Sequence, residues 1–109
     1  MAKTRVSVVR IEGKVRWQTH RAKSGNWVAF CSPLKLTIQS DTWVNLMEDI
    51  AYTLDAVLKD LLATNDFHKF MKDQGWKLIG SLPRQKENMR FDLPFYPVAL
   101  NGPQRSLSQ

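Results

Sequence analysis

Two histidines, one cysteine and ten carboxylates are the side chains of this chain best suited to polar chemistry. His20 and His68 stand far apart in sequence, and neither belongs to a His-x-x-x-His spacing. They read as solvated or capping side chains, not ligands. A two-metal centre needs several carboxylates converging within about 4 Å of paired ions. The candidates Glu48, Asp49, Asp55 and Asp60 share one segment, and only Glu12 and Asp92 sit on strand-like stretches that could face them. A solvated acidic helix face accounts for the same residues. Cys31 ends an apolar run with no histidine beside it, the setting of a small buried hydrophobe and not of an activated thiolate. One cysteine excludes an intramolecular disulfide and a cysteine-based zinc site, and it suits a reducing cytoplasm. The expectation is a chain with no catalytic residue, no cofactor and no metal, and with no sign of a small-molecule substrate.

The basic residues are the more informative set. The net charge is +6 over 109 residues, but it is segregated. Residues 1–39 carry net +7, residues 40–66 net −5 and residues 67–109 net +4. Arg5, Arg10, Lys14, Arg16, Arg21 and Lys23 lie on or between two neighbouring strand-like segments, so several are expected to cluster on one sheet face as a phosphate-contacting patch. An edge strand kept soluble by Lys and Arg is the competing explanation. The acidic stretch between the basic ones is the natural face for a basic partner.

The elements that must position these residues follow from periodicity. Arg5 to Ile11 alternates and reads as a strand, followed by a turn at Glu12-Gly13. Lys14 to Gln18 alternates with Val15 and Trp17 on one face. Ser24-Gly25-Asn26 is a hairpin-like turn, Trp27 to Cys31 a short apolar strand, and Leu34 to Ile38 another extended segment after Pro33. Ser40-Asp41-Thr42 offers three N-cap candidates in a row. From there Trp43, Leu46, Met47, Ile50, Leu54, Val57, Leu58 and Leu61 recur at spacings of three and four, predicting one amphipathic helix to about Leu62 with this stripe as core. Asn65 or Asp66 caps a short second helix ending at Gly75. Trp76 to Ile79 is extended, Pro83 to Asn88 is charged and exposed, and Met89 to Phe95 alternates as one last edge strand. The reading is a single α+β domain over residues 1–100 and a flexible tail over 101–109. Met1 to Val9 lacks the apolar run of a signal peptide, and no stretch approaches the roughly 20 apolar residues of a membrane span.

One run carries a resemblance. Trp27-Val28-Ala29-Phe30-Cys31-Ser32-Pro33-Leu34 after Ser24-Gly25-Asn26, then Ile38-Gln39-Ser40-Asp41-Thr42-Trp43 and a long helix with Glu48-Asp49-Ile50, resembles the HicB-like antitoxin family. Its pattern is an aromatic-Val-Ala strand, a small-residue-plus-proline loop and a Gly/Ser-Asp-Thr helix start. The likeness spans about Arg5 to Leu62. It implies an antiparallel βββαβ-type sheet covered by one long helix, a truncated relative of the RNase H topology. It also implies oligomers and direct neutralisation of a small RNA-cleaving partner, HicA. Many members add a DNA-binding helix pair; here no recognition helix is evident after Leu62, so operator binding is not implied. The functional expectation is a non-enzymatic, oligomeric, cytoplasmic binding or regulatory protein with no membrane role, either neutralising such a toxin or acting as a solitary HicB-like domain, the alternative being a small nucleic-acid-binding protein that uses its basic N-terminal strands.

Overall fold

A computed structural model describes residues 6–83 and 88–99. The chain is α+β, with two helices, one three-stranded and one four-stranded mixed sheet. The strands are β1 (Ser7–Glu12), β2 (Val15–Arg21), β3 (Trp27–Cys31), β4 (Leu36–Ser40), β5 (Lys77–Ile79), β6 (Met89–Asp92) and β7 (Phe95–Ala99), and the helices are α1 (Trp43–Ala63) and α2 (Phe67–Gln74). Contacts divide the chain into two compact units. One contains β1, α1 from Ala51 onward, α2, β5 and β6. The other contains β2, β3, β4, α1 up to Ile50, and β7. Among the described residues no helix is long and apolar enough to cross a membrane. The expected tail over 101–109 and most of the expected charged loop, residues 84–87, lie outside the described residues.

In the first unit β1 is central, antiparallel to β5 and parallel to β6. Val9 and Ile11 face the core with Met89 and Phe91, and Val8, Arg10 and Glu12 face out. The period-two pattern of β1 is what allows this half-buried arrangement. Leu54 and Leu58 of α1 are buried, as are Phe67 and Met71 of α2. Phe67 lies with its ring centroid 5.4 Å from that of Phe91. Gly75 closes α2 in the left-handed region at φ 74°, its N–H bonded to the Lys72 carbonyl, and Trp76 N–H returns to Met71 O. This is the glycine stop expected there.

In the second unit three consecutive antiparallel strands, β2, β3 and β4, are joined by β7, which runs parallel to β2, in the order β4-β3-β2-β7. Val15, Trp17, Thr19, Ala29 and Cys31 are buried on one face. Ala29 pairs with Thr19 and Ile38, and Thr19 with Ala99. The hydroxyl of buried Thr19 donates to the Val98 carbonyl at 3.2 Å, so it is satisfied. Leu46 and Ile50 of α1 supply the helical part of this unit's core. Of the three N-cap candidates, Thr42 does the capping: its Oγ1 accepts the Asn45 N–H at 3.1 Å.

The expected single antiparallel sheet is instead two mixed sheets, each with one parallel pair, and two further expectations fail. Met89 to Phe95 is not one strand, because β6 and β7 break at Leu93-Pro94 and enter different sheets. Proline has no N–H for a ladder, and Leu93 is buried instead of paired. Likewise β1 and β2, neighbours in sequence, are not neighbours in a sheet. Gly13 stands at that exit, where an added Cβ would lie 2.5 Å from Trp76 Cδ1. Trp76 is buried and braced edge-on by Phe70, 5.6 Å away, so its ring has little room to yield. Gly13→Ala is therefore expected to destabilise the fold by about 1–3 kcal/mol. Urea unfolding checks this: a midpoint equal to the wild type's would show that the contact does not constrain Gly13.

Candidate binding surfaces

Of the six basic residues expected to form one patch, the five among the described residues divide between the two units. Arg5 lies outside the described residues. Arg10 sits exposed on β1, in register with Asp92 and Ile79 of the three-stranded sheet. Lys14 is exposed between β1 and β2, and Lys23 in the β2–β3 turn. Arg16 is exposed on β2, in the other sheet. Arg21 has the opposite strand parity from Arg16, so the two point to opposite faces of β2. β1 and β2 do not pair, so Arg10 and Arg16 do not share one sheet face.

What the four-stranded sheet presents instead is mixed. Its open face carries Arg16, Gln18 and His20 of β2, Val28 and Phe30 of β3, Thr37 and Gln39 of β4, and Tyr96 and Val98 of β7. Register sets Tyr96 beside Arg16 and forms a row Val98–Gln18–Phe30–Thr37. Phe30, Tyr96 and Val98 are 38%, 48% and 40% exposed. Three large apolar side chains in solvent on one sheet face make a surface suited to contact with another molecule.

The opposite edge of the same unit holds a groove. Arg21 and Trp27 are directly opposed across the β2–β3 hairpin. The Arg21 guanidinium carbon sits 5.3 Å from the centre of the Trp27 ring. Its Nε donates to the Gly25 carbonyl at 3.1 Å, and Gly25 takes φ 95° to make that turn. Trp27 meets Trp43 edge-to-face, with centroids 5.0 Å apart. With Thr19, His20, Pro97 and Ala99 these residues line an open groove of about 600 Å³. Trp43, expected in the core stripe, is 37% exposed here, because it is the first residue of α1 and stands at the helix end. Sequence reasoning missed this site. The available signal was the pairing of Arg21 with Trp27 across a short hairpin.

The acidic helix face also changes meaning. Asp49 accepts the hydroxyl of buried Ser40. Asp55 accepts the Phe91 N–H at 2.7 Å and pairs with Lys59 at 3.0 Å. Phe91 belongs to edge strand β6, so Asp55 satisfies a backbone donor at a sheet edge. Glu48 and Asp60 remain exposed. Tyr52, one turn beyond Glu48, is 76% exposed and was not foreseen as a surface aromatic.

Of the remaining polar candidates, His20 is half-buried and His68 exposed, the latter edge-on to its neighbour Phe67. Cys31 is buried and free, and burial pushes its thiol up against a smaller opposing effect of a backbone hydrogen bond at Leu34. It is therefore held as a thiol on the sealed face of the sheet. Among the described residues no group of three or more His, Cys, Asp or Glu is arranged to hold a metal ion.

No family model, no curated protein and no solved structure matches the chain. The geometry therefore carries the functional reading together with the short sequence motif.

The two roles of the acids are separable by mutation. Asp55→Ala strands the Phe91 N–H and is expected to cost about 1–3 kcal/mol, largely restored in Asp55→Asn, which keeps an acceptor oxygen. Glu48→Ala and Asp60→Ala are expected to stay within about 0.5 kcal/mol of wild type. Equal effects at all three positions in denaturant titrations would reject a structural role specific to Asp55.

Proposed function

We propose that this chain is a non-enzymatic binding protein of the HicB-like kind, acting as an oligomer in the cytoplasm on a protein partner. The carrying observation is the order of the four-stranded unit: three antiparallel strands, a helix begun at Ser40-Asp41-Thr42, and a later strand returning parallel to the first. This order supports the βββαβ succession the resemblance implies, with β1 ahead of it, α2, β5 and β6 inserted before the returning strand, and that strand parallel instead of antiparallel. The open face with Phe30, Tyr96 and Val98 supports association. In this reading the partner is a small RNA-cleaving protein of the HicA kind, and the free, buried Cys31 suits a reducing compartment. Light scattering at tens of micromolar is expected to give a stable oligomer, reduced to monomer by Phe30→Glu with Val98→Glu. A clean wild-type monomer overturns the oligomeric reading.

One observation favours a second reading. Tyr96 and Arg16 are register neighbours on the open face, with Phe30 nearby on the same face, and an aromatic-and-cation sheet surface is how single-stranded RNA is often held. A fluorescent single-stranded RNA is then expected to bind more weakly as salt rises. Arg16→Glu with Tyr96→Ala should lower its affinity about tenfold or more. Salt-independent binding, or equal binding by the double variant, rejects this second reading.

A further inference from the structure

We propose that the groove between the β2–β3 hairpin and the start of α1 is a binding site for a flat aromatic ring that carries a carboxylate or phosphate. The inference stands apart from the partner-binding reading, because the groove shares only His20 with the open face and none of Phe30, Tyr96 and Val98.

Three features converge on that ligand chemistry. The first is size: about 600 Å³ is in the range of small-molecule sites, which run roughly 300–1,000 Å³ and are lined mainly by apolar and aromatic groups with a few placed polar ones. The second is the pair of indoles. Trp27 and Trp43 meet edge-to-face at 73°, so one ring's edge abuts the other's face and the two planes form a corner, not a closed stack. A flat ring lying in such a corner gains a stacking contact with one indole and an edge contact with the other. Trp43 retains 37% of its surface in solvent, so this corner is not sealed.

The third feature is the single full cation among the lining residues, Arg21. Its orientation is fixed twice, by the Trp27 ring beneath it and by the bond from Nε to the Gly25 carbonyl. Those contacts use one face of the guanidinium and one of its five N–H groups. The terminal amino groups keep the fork that matches a carboxylate or phosphate, and the ordering entropy of the side chain is already spent before a ligand arrives. Among the described residues no Asp or Glu lines the groove, so an anion entering it meets no like charge from them. Apolar walls and one preorganised guanidinium select a ligand with both an aromatic body and an oxyanion, because either part alone uses half of the site.

The test is a titration of the whole chain, labelled with 15N at its tryptophan indoles, with two ligands: indole-3-acetate as the carboxylate source and adenosine monophosphate as the phosphate source. Their neutral counterparts, indole-3-acetamide and adenosine, serve as controls. The expected result is that at least one anion shifts the Trp27 and Trp43 indole signals in a saturable way, and binds about tenfold or more tightly than its neutral counterpart. Arg21→Met, an exposed position whose replacement keeps the alkyl stem, should abolish that preference while leaving the other two tryptophan signals in place as the check on folding. Which anion saturates distinguishes the two sources. The proposal is overturned if neither anion shifts those signals up to about 10 mM, a weak-binding ceiling. It is also overturned if the neutral counterparts bind equally well, or if Arg21→Met binds like the wild type.

Discussion

The alternation within β2 divides the four-stranded sheet into two chemistries. Val15, Trp17 and Thr19 point one way and are buried, whereas Arg16, Gln18 and His20 point the other way. A slip of one residue would bring a guanidinium into the core and expel an indole, so the register is strongly specified. Pairing then propagates the division outward. Ala29 and Ile38 continue the sealed row through Thr19, and Phe30 and Thr37 continue the open row through Gln18. The open face takes its sidedness from this one strand. Within β2 the hairpin end relaxes the rule: Arg21 has sealed-side parity yet reaches solvent, since it is the last residue of the strand and Trp27 offers it a ring to lie on.

The two sheets exchange strands at two short breaks, and both breaks are enforced by simple sterics. Between β1 and β2 the chain turns at Gly13, where any larger residue would collide with Trp76. Between β6 and β7 it turns at Leu93-Pro94, where a ladder cannot continue. The consequence is symmetrical: β1 takes β6 as a parallel neighbour and β2 takes β7. The three-stranded sheet thus holds the strand before each break and the four-stranded sheet the strand after it. Local periodicity does not reveal this, because Met89, Phe91, Leu93 and Phe95 keep the same alternation straight through the point at which the chain changes sheet.

What the sequence made legible was local. The long helix, the cap among Ser40-Asp41-Thr42, the left-handed Gly75 and the hairpin at Gly25 each depend on residues within a few positions of one another, and short-range chemistry decides them. What it hid was pairing between distant segments. The basic residues looked contiguous because β1 and β2 are contiguous in the chain, yet Arg10 and Arg16 belong to different sheets. Trp43 fitted the apolar stripe by its spacing, but a helix's first residue has little helix beyond it to complete its burial. The groove required Arg21, Trp27, Trp43 and Pro97 together, four residues drawn from four elements, and no single window of sequence contains that combination.

The charge of α1 shows how a count and a contact surface diverge. Asp49 and Asp55 accept from Ser40 and the Phe91 N–H, which are neutral donors and bring no opposing charge. They therefore still contribute to a long-range field that would steer a basic partner. Their lone pairs, however, are partly committed, and Lys59 stands against Asp55, so a partner cation reaching either carboxylate would compete with contacts that hold the fold. Glu48 and Asp60, exposed on the same helix, carry no such cost. For the protein partner proposed above, steering and docking would thus draw on different acids: all four would shape the approach of a basic protein, whereas close ion pairing would favour the exposed Glu48 and Asp60.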